Sequence, residues 1–233
     1  MNLKAKMLYL FKKLLMVTLV LVILSELAVL SLKFIDPPMW MWRIARSINP
    51  PESYPTAVLY QWHNLEQIAP SMQLAVIASE DQRFPHHHGI DWTELQNAIL
   101  ARQSGGQLRG ASTITQQTAK NLYLWPSNSF VRKLVEAYFA LLLELNLDKT
   151  RILEIYLNII EFGPGIYGVE AASQHYFKRS ASNLSQAQSA ALASILPSPY
   201  RYSVLQPSTH LKNRRVWIQR QMRQLGSQHW AVQ

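Results

Sequence analysis

The chain has 233 residues, carries 23 Lys and Arg against 14 Asp and Glu for a formal charge of +9, and has no cysteine. The missing thiols exclude disulfides, thiolate metal sites and a cysteine nucleophile. The length allows one catalytic domain of roughly 190 residues once an anchor and connector are set aside, and the positive balance suits an anionic partner without choosing among lipid head group, diphosphate and nucleic acid.

Residues 1–13 form a basic segment with Lys4, Lys6, Lys12 and Lys13, and residues 14–34 are assigned as a transmembrane anchor whose one charge from Leu14 to Leu32 is Glu26. At about 1.5 Å per residue this stretch nearly spans the roughly 30 Å hydrocarbon core. It also exceeds the roughly 7–15-residue apolar region of a signal peptide, and no small-x-small cleavage site follows it. Lysines on its N-terminal side place that end in the cytoplasm and the rest outside the inner membrane. Residues 35–56 are a juxtamembrane linker with Pro37, Pro38, Trp40, Trp42, Pro50, Pro51 and Pro55. It is expected to be extended and non-helical, with its aromatics at the lipid–water interface.

From residue 57 to 225 helical periodicity dominates and long β-branched alternation is absent, so the domain reads as mainly α, followed by a tail over 226–233. Pro70 suits the first turn of a helix running to Asp81. A loop with His86, His87, His88 and Gly89 separates it from a helix opened by an Asp91/Glu94 capping box, with Trp92, Leu95 and Ile99 facing inward. Gln103 to Gly110 reads as a mobile surface loop. Ser112 is expected to cap a short helix over Thr113 to Asn121, although Thr113 or Thr115 serves equally as a helix-start residue. Ser129 begins the longest helix of the domain, to Asn146, with an apolar stripe of Val131, Leu134, Val135, Tyr138, Leu142 and Leu145. Further helices are predicted over Lys149 to Ile159, Tyr167 to Phe177, Gln186 to Leu196 with a Ser185/Gln188 capping box, and Thr209 to Leu225 before Gly226.

Two acids on separate helices stand out, Glu80 and Glu136. Paired carboxylates are what glycosyl chemistry uses, one to move a proton and one to position or stabilise. Glu80 follows the apolar run Leu74 to Ala78, where burial raises a carboxyl pKa toward a base's range; the same pattern also describes a solvated helix end. Lys120, Arg132 and Lys133 place cations at the end of one helix and the start of the next, an arrangement suited to a diphosphate leaving group. The plainer alternative is an exposed Arg132–Glu136 pair at i, i+4, worth a few tenths of a kcal/mol. The His86–His88 run does not read as a metal site, because adjacent side chains diverge.

In order along the chain stand Glu80-Asp81-Gln82-Arg83-Phe84 with His87 and Gly89, then Gly110 to Gln117 (GASTITQQ) with Lys120-Asn121. Arg132-Lys133-Leu134-Val135-Glu136, Arg151 to Asn158 (RILEIYLN) and Leu192 to Pro199 (LASILPSP) follow. This series resembles the motifs of peptidoglycan glycosyltransferases from about Leu65 to Tyr202. With the chain ending at Gln233, it resembles the monofunctional, single-span members, for which no transpeptidase activity is expected. The resemblance implies a lysozyme-like helical domain with a head lobe and a membrane-facing jaw lobe. It implies that Glu80 is the general base, that Glu136 stabilises the donor side, and that Lys120 and Arg132 contact the diphosphate with Lys133 beside them. Ser112, Thr113, Gln116, Gln117, Asn121, Asp81, Phe84 and His87 are carried over as substrate-binding positions, His87 with a structural hydrogen-bonding role beside it. Ala111 stands where many relatives have glycine. Glu154, Tyr156 and Asn158 are read as a scaffold that braces the cleft.

The implied substrates are lipid II and an undecaprenyl-diphosphate-linked strand at the inner membrane, with penicillin-binding or division proteins as neighbours and no nucleic acid. No cofactor is obligatory; Mg²⁺ or Mn²⁺ assists some relatives, and no Asp cluster here demands one. The competing readings are a glycan-cleaving lytic transglycosylase or lysozyme-like enzyme, which has no use for the cations, and a lipid II-binding envelope protein without turnover, which has no use for the carboxylates.

Overall fold

The computed structural model describes residues 3–52, 54–103, 112–127 and 129–226. The expectations for residues 104–111, including the loop up to Gly110 and Ala111, and for tail residues 227–233 lie outside them. The chain is mainly helical, as its periodicity predicts.

Helix α1, Leu3–Ser31, has 29 residues, about 43 Å at 1.5 Å per residue. The basic segment and the anchor are therefore one helix, which begins earlier than residue 14 and stops before residue 34. It is apolar all round and exposed along most of its length, the character of a helix surrounded by lipid. Its last turn is different: Val29 and Leu32 are buried in the domain's core. Arg151 closes this joint. Its Nε donates to Leu32 O at 2.8 Å and an Nη donates to Ile35 O at 3.2 Å. The same guanidinium pairs with Asp36 at 2.8 Å and with Glu154, and lies 5.4 Å from the centroid of the Trp62 ring.

The linker is not extended throughout. Helix α2, Met41–Ile48, occupies its centre because Pro37-Pro38 and Pro50-Pro51 bracket that segment and leave every N–H within it free to bond. Trp40, expected at the lipid interface, is 1% exposed. Its ring packs 5.1 Å from Tyr60 and 5.4 Å from Tyr167.

Helix α3, Pro70–Glu80, opens on its proline and packs on α9, Gln186–Ile195, and α10, Thr209–Leu225. A second group joins α5, Ile114–Tyr123, to α6, Phe130–Asn146, and α7, Lys149–Ile159. The centre of α7 is fully buried, with Ile152, Leu153, Ile155, Tyr156, Leu157 and Ile159 at 0% exposure. The Ser185/Gln188 capping box forms as predicted. At α5 the cap is Thr113, boxed with Gln116, rather than Ser112.

Three short strands escaped the periodicity reading: β1, Leu59–Tyr60, β2, Glu161–Gly163, and β3, Ile166–Tyr167. They lie in the order β1-β3-β2, with β1 parallel and β2 antiparallel to β3, and each is too short to show alternation. Tyr167 therefore belongs to a strand, and α8, Val169–Phe177, starts after Gly168 at φ +80°. A Cβ there would stand 2.7 Å from Asn158 O, which only glycine avoids.

Two predicted apolar stripes face outward. Helix α4, Trp92–Gln103, buries none of its side chains; Trp92 and Ile99 are exposed, and Leu95 is only part-buried. Its start is capped by Asp91 Oδ1, which accepts from Thr93 N and Glu94 N, while Glu94 turns to Asn97 instead of completing the box. On α6 the buried residues are Glu136, Ala140 and Leu143, whereas Val131, Leu134, Tyr138 and Leu145 are exposed beside Phe130. Helix α1 packs on α6, with Ser25 Oγ 2.7 Å from Tyr138 Oη. Periodicity locates the apolar face of α4 but predicts it inward, and it locates that of α6 without a direction, because an apolar stripe reads alike whatever covers it.

Candidate active site

Glu80 is the last residue of α3, separated by Ser79 alone from the fully buried Ala75 to Ala78 run. Its Oε2 accepts from Gln117 Nε2 at 3.2 Å, and its Oε1 accepts from Arg214 at 3.2 Å and Ser79 Oγ at 3.4 Å. Burial pushes the carboxyl pKa up, and Arg214, Gln117 and Ser79 only partly oppose it. The Gln117 amide is oriented from behind: Tyr156 Oη donates to its carbonyl at 3.1 Å, which turns the NH₂ toward Glu80. Gln117 is thus committed to the carboxylate rather than to a sugar.

Glu136 lies on α6 at 2% exposure. Arg132 Nη1 donates to it at 2.9 Å, and Lys133 Nζ pairs with its other oxygen. The i, i+4 pair therefore exists, but its acid is buried, which removes the exposed-face reading. Lys133 also donates to Ser112 Oγ at 3.2 Å, engaging Ser112 with this cluster.

Lys120, in the last turn of α5, joins the two acids electrostatically. Burial lowers its pKa; Glu136 and, less strongly, Glu80 favour its charged form, while Arg132 and Lys133 oppose it. Lys120 and Arg132 line one cavity of about 390 Å³ with Trp42, Pro126 and Ser127. Arg132 Nε is buried there without a hydrogen-bond partner among the described residues. An N–H so placed is costly until an acceptor arrives. A larger cavity of about 640 Å³ lies at the anchor joint beside Lys33, Asp148, Arg151 and Glu154, away from both carboxylates named above.

Other predicted contact residues are structural. Asp81 and His87 are buried against each other, with His87 Nε2 3.0 Å from both carboxylate oxygens, and Asp81 Oδ2 also accepts from Ile114 N at 2.9 Å. Phe84 is 0% exposed. Thr113 and Gln116 cap α5 reciprocally, and Thr113 Oγ1 donates to Gly89 O at 2.6 Å. Asn121 is buried on α5. Asp81, Phe84, His87, Thr113, Gln116 and Asn121, expected as substrate-binding positions, are thus all buried in the fold. These side chains, Asn121 apart, tie the end of α3 to the start of α5, which fixes Glu80 relative to Gln117.

The scaffold role read for the Arg151–Asn158 segment is visible in its bonds. Glu154 accepts from Leu65 N at 2.6 Å, and Asn158 bonds both His63 N and His63 O. Two residues of the site were missed. Arg214 is one of five Lys and Arg on α10, whose sequence does not say which one faces inward, and Trp42 is expected at the lipid interface.

Among the described residues, Asp81, His87 and Asp91 are the one His/Asp/Glu group close enough to share an ion. Their oxygens already accept from His87, Ile114 N, Arg83, Thr93 N and Glu94 N. The donor set does not fit Mg²⁺ or Mn²⁺, which take oxygen ligands with free lone pairs, and it is remote in role from the cation cavity.

A family model described as Transglycosylase matches residues 52–223. A Shewanella oneidensis protein named biosynthetic peptidoglycan transglycosylase is 56% identical over 202 residues, 87% of this chain and 86% of that protein. Proteins of the same name from Vibrio parahaemolyticus and Xylella fastidiosa are 51% identical over 219 residues and 47% identical over 218, covering 94% and 93% of this chain and 96% and 90% of their own lengths.

Proposed function

The chain belongs to the transglycosylase family and is a peptidoglycan glycosyltransferase; from that premise we propose that it polymerises lipid II, with Glu80 as the base and Lys120 and Arg132 as the ligands of the leaving diphosphate. The observation that carries this reading is the pairing of a buried carboxyl of raised pKa with a cavity that two cations from different helices share.

In this mechanism the 4-hydroxyl of the acceptor N-acetylglucosamine attacks the anomeric carbon of the lipid-linked donor strand. Glu80 takes the hydroxyl proton as the oxygen–carbon bond forms, and the bond from the anomeric carbon to the diphosphate breaks with inversion, giving a β-1,4 linkage. A raised pKa suits a base that must gain a proton near neutral pH. Undecaprenyl diphosphate leaves against Lys120 and Arg132, whose fixed charge meets the charge that develops on the leaving oxygen. Glu136 holds Arg132 and Lys133 in place and keeps three neighbouring cations from repelling one another. No step is assigned to a divalent cation. A glycan-cleaving enzyme would share the carboxylates, but it has no leaving group that rewards a buried cation pair.

The chain is membrane-associated through α1. We place its N-terminus in the cytoplasm and the domain outside the inner membrane, a topology supported by the lysines at Lys4, Lys6, Lys12 and Lys13. The outward apolar face of α6 beside α1 then lies in the bilayer. A penicillin-binding or division protein as neighbour rests on the family resemblance.

The test incubates detergent-solubilised protein and Glu80→Gln with labelled lipid II and separates lipid-linked polymer from monomer on a gel. Lysozyme-sensitive polymer from the parent and a loss of about a hundredfold or more in the variant are expected, the scale of general-base catalysis. A folded parent that binds lipid II without polymerising it overturns the reading.

A further inference from the structure

Helix α2 lies wholly before residue 52, where the family match begins, yet it supplies one wall of the cation cavity. Trp42 lines that cavity, and Lys120 Nζ stands 5.3 Å from the centroid of its ring. Lys120 itself gives no hydrogen bond from Nζ to any described carboxylate or carbonyl, although burial lowers its pKa. For a desolvated ammonium, an indole face is the strongest aromatic substitute for lost water.

The indole is held firmly on its other contacts. Its Nε1 lies 3.4 Å from Glu161 Oε2. Arg46, one turn further along α2, places its guanidinium 5.2 Å from the Trp42 centroid and 4.8 Å from that of Tyr200. Arg46 pairs with Glu161 at 3.5 Å, and Tyr200 donates to Glu161 at 2.8 Å. A buried acid and an arginine, both held by Tyr200, thus fix the ring that Lys120 meets at the cavity.

We infer that Trp42 is a positioning residue of the diphosphate site: its indole holds the Lys120 ammonium in the cavity so that the cation meets the lipid-linked diphosphate already aimed. The inference rests on the reading of Lys120 as a diphosphate ligand. It makes the juxtamembrane helix part of the site rather than a spacer, so the substrate's charged group is gripped between the anchor-proximal segment and the catalytic domain.

A double-mutant cycle on the full-length protein tests it, with Trp42→Leu, Lys120→Met and the double variant. Direct binding of inorganic diphosphate and of undecaprenyl diphosphate to all four proteins is measured by calorimetry, alongside kcat and KM for lipid II in the parent and the Trp42 variants. Trp42→Leu should weaken binding of both about 2- to 30-fold, the range of a cation–π contact from exposed to desolvated, and raise KM more than it lowers kcat. Trp42→Phe should recover part of the loss, and the Trp42→Leu effect should vanish in the Lys120→Met background. An undiminished effect in that background overturns the inference, as does an unchanged Trp42→Leu beside a weakened Lys120→Met, which leaves the reading of Lys120 intact. If Lys120→Met itself binds both diphosphates as the parent does, the reading of the site falls and the inference with it. Should Trp42→Leu fail to fold, the cycle is run with Trp42→Phe, where a smaller loss that again disappears without Lys120 is required.

Discussion

Glu136→Gln separates a buried ion cluster from a surface pair. The acid's side chain is 3% exposed, against 20% for Arg132 and 44% for Lys133. At 2.9 Å and an effective dielectric of about 20, one such contact is worth about 6 kcal/mol of gross attraction, most of which replaces lost hydration. Breaking a fully buried pair costs about 3–5 kcal/mol. Here Lys133 can turn to water and the Gln oxygen still accepts from Arg132, so the expected loss is about 1–3 kcal/mol. An exposed helical pair would lose about 0.3–0.5 kcal/mol. Urea unfolding of the solubilised protein, followed by intrinsic fluorescence at matched m-values, measures the difference. The variant should also lose at least about tenfold in kcat with little rise in KM, because a neutral amide releases Lys133 and aims Arg132 less firmly while leaving the cavity no less positive. A stability loss below about 0.5 kcal/mol with unchanged kcat would refute the argument that burial gives this carboxylate its role.

The pH profile of kcat/KM should be a bell narrower than ordinary carboxylate and lysine values would give. Glu80 must be ionised to accept a proton, and its raised pKa moves the acidic limb up; Lys120 must be protonated to meet the diphosphate, and its lowered pKa moves the basic limb down. Lys120→Arg should carry the basic limb to higher pH, and a limb that stays put assigns it to another group. Gly168→Ala should destabilise the fold by about 1–3 kcal/mol, since it places a side chain in backbone conformation reserved for glycine and a Cβ 2.7 Å from Asn158 O. A melting temperature equal to the parent's would mean that the β3–α8 turn rearranges at no cost.

Helix positions were legible because local signals set them: Pro70 at a first turn, Ser129 and Ser185 as caps, and the apolar repeat of α7. The direction in which an apolar stripe faces is not legible, because periodicity marks a face without saying what covers it, and so Trp92 and Ile99 of α4, expected inward, are exposed. The linker helix escaped because its proline pairs drew attention to the segment's ends and away from the eight residues between them. At the candidate site, chemical type and order along the chain single out Glu80, Glu136, Lys120 and Arg132, which the structure sets in one electrostatically coupled group. For Asp81 and Phe84 a motif marks positions that matter without saying whether they touch substrate or hold the backbone that does, whereas the hydrogen-bonding role expected of His87 is seen in its contact with Asp81. Arg214 was invisible for a further reason, as its contact with Glu80 joins residues 134 positions apart.

The two hydrogen bonds and two ion pairs of Arg151 near the foot of α1 change what an anchor means here. A flexible leash would let the domain tumble over the membrane and sample its substrate at every height and angle. A guanidinium clamped to Leu32 O, Ile35 O and Asp36 instead makes the transmembrane helix a mount, so the bilayer normal becomes a reference axis for the cleft. On the proposed function, the search for a lipid-borne donor would then be a two-dimensional problem at one fixed elevation.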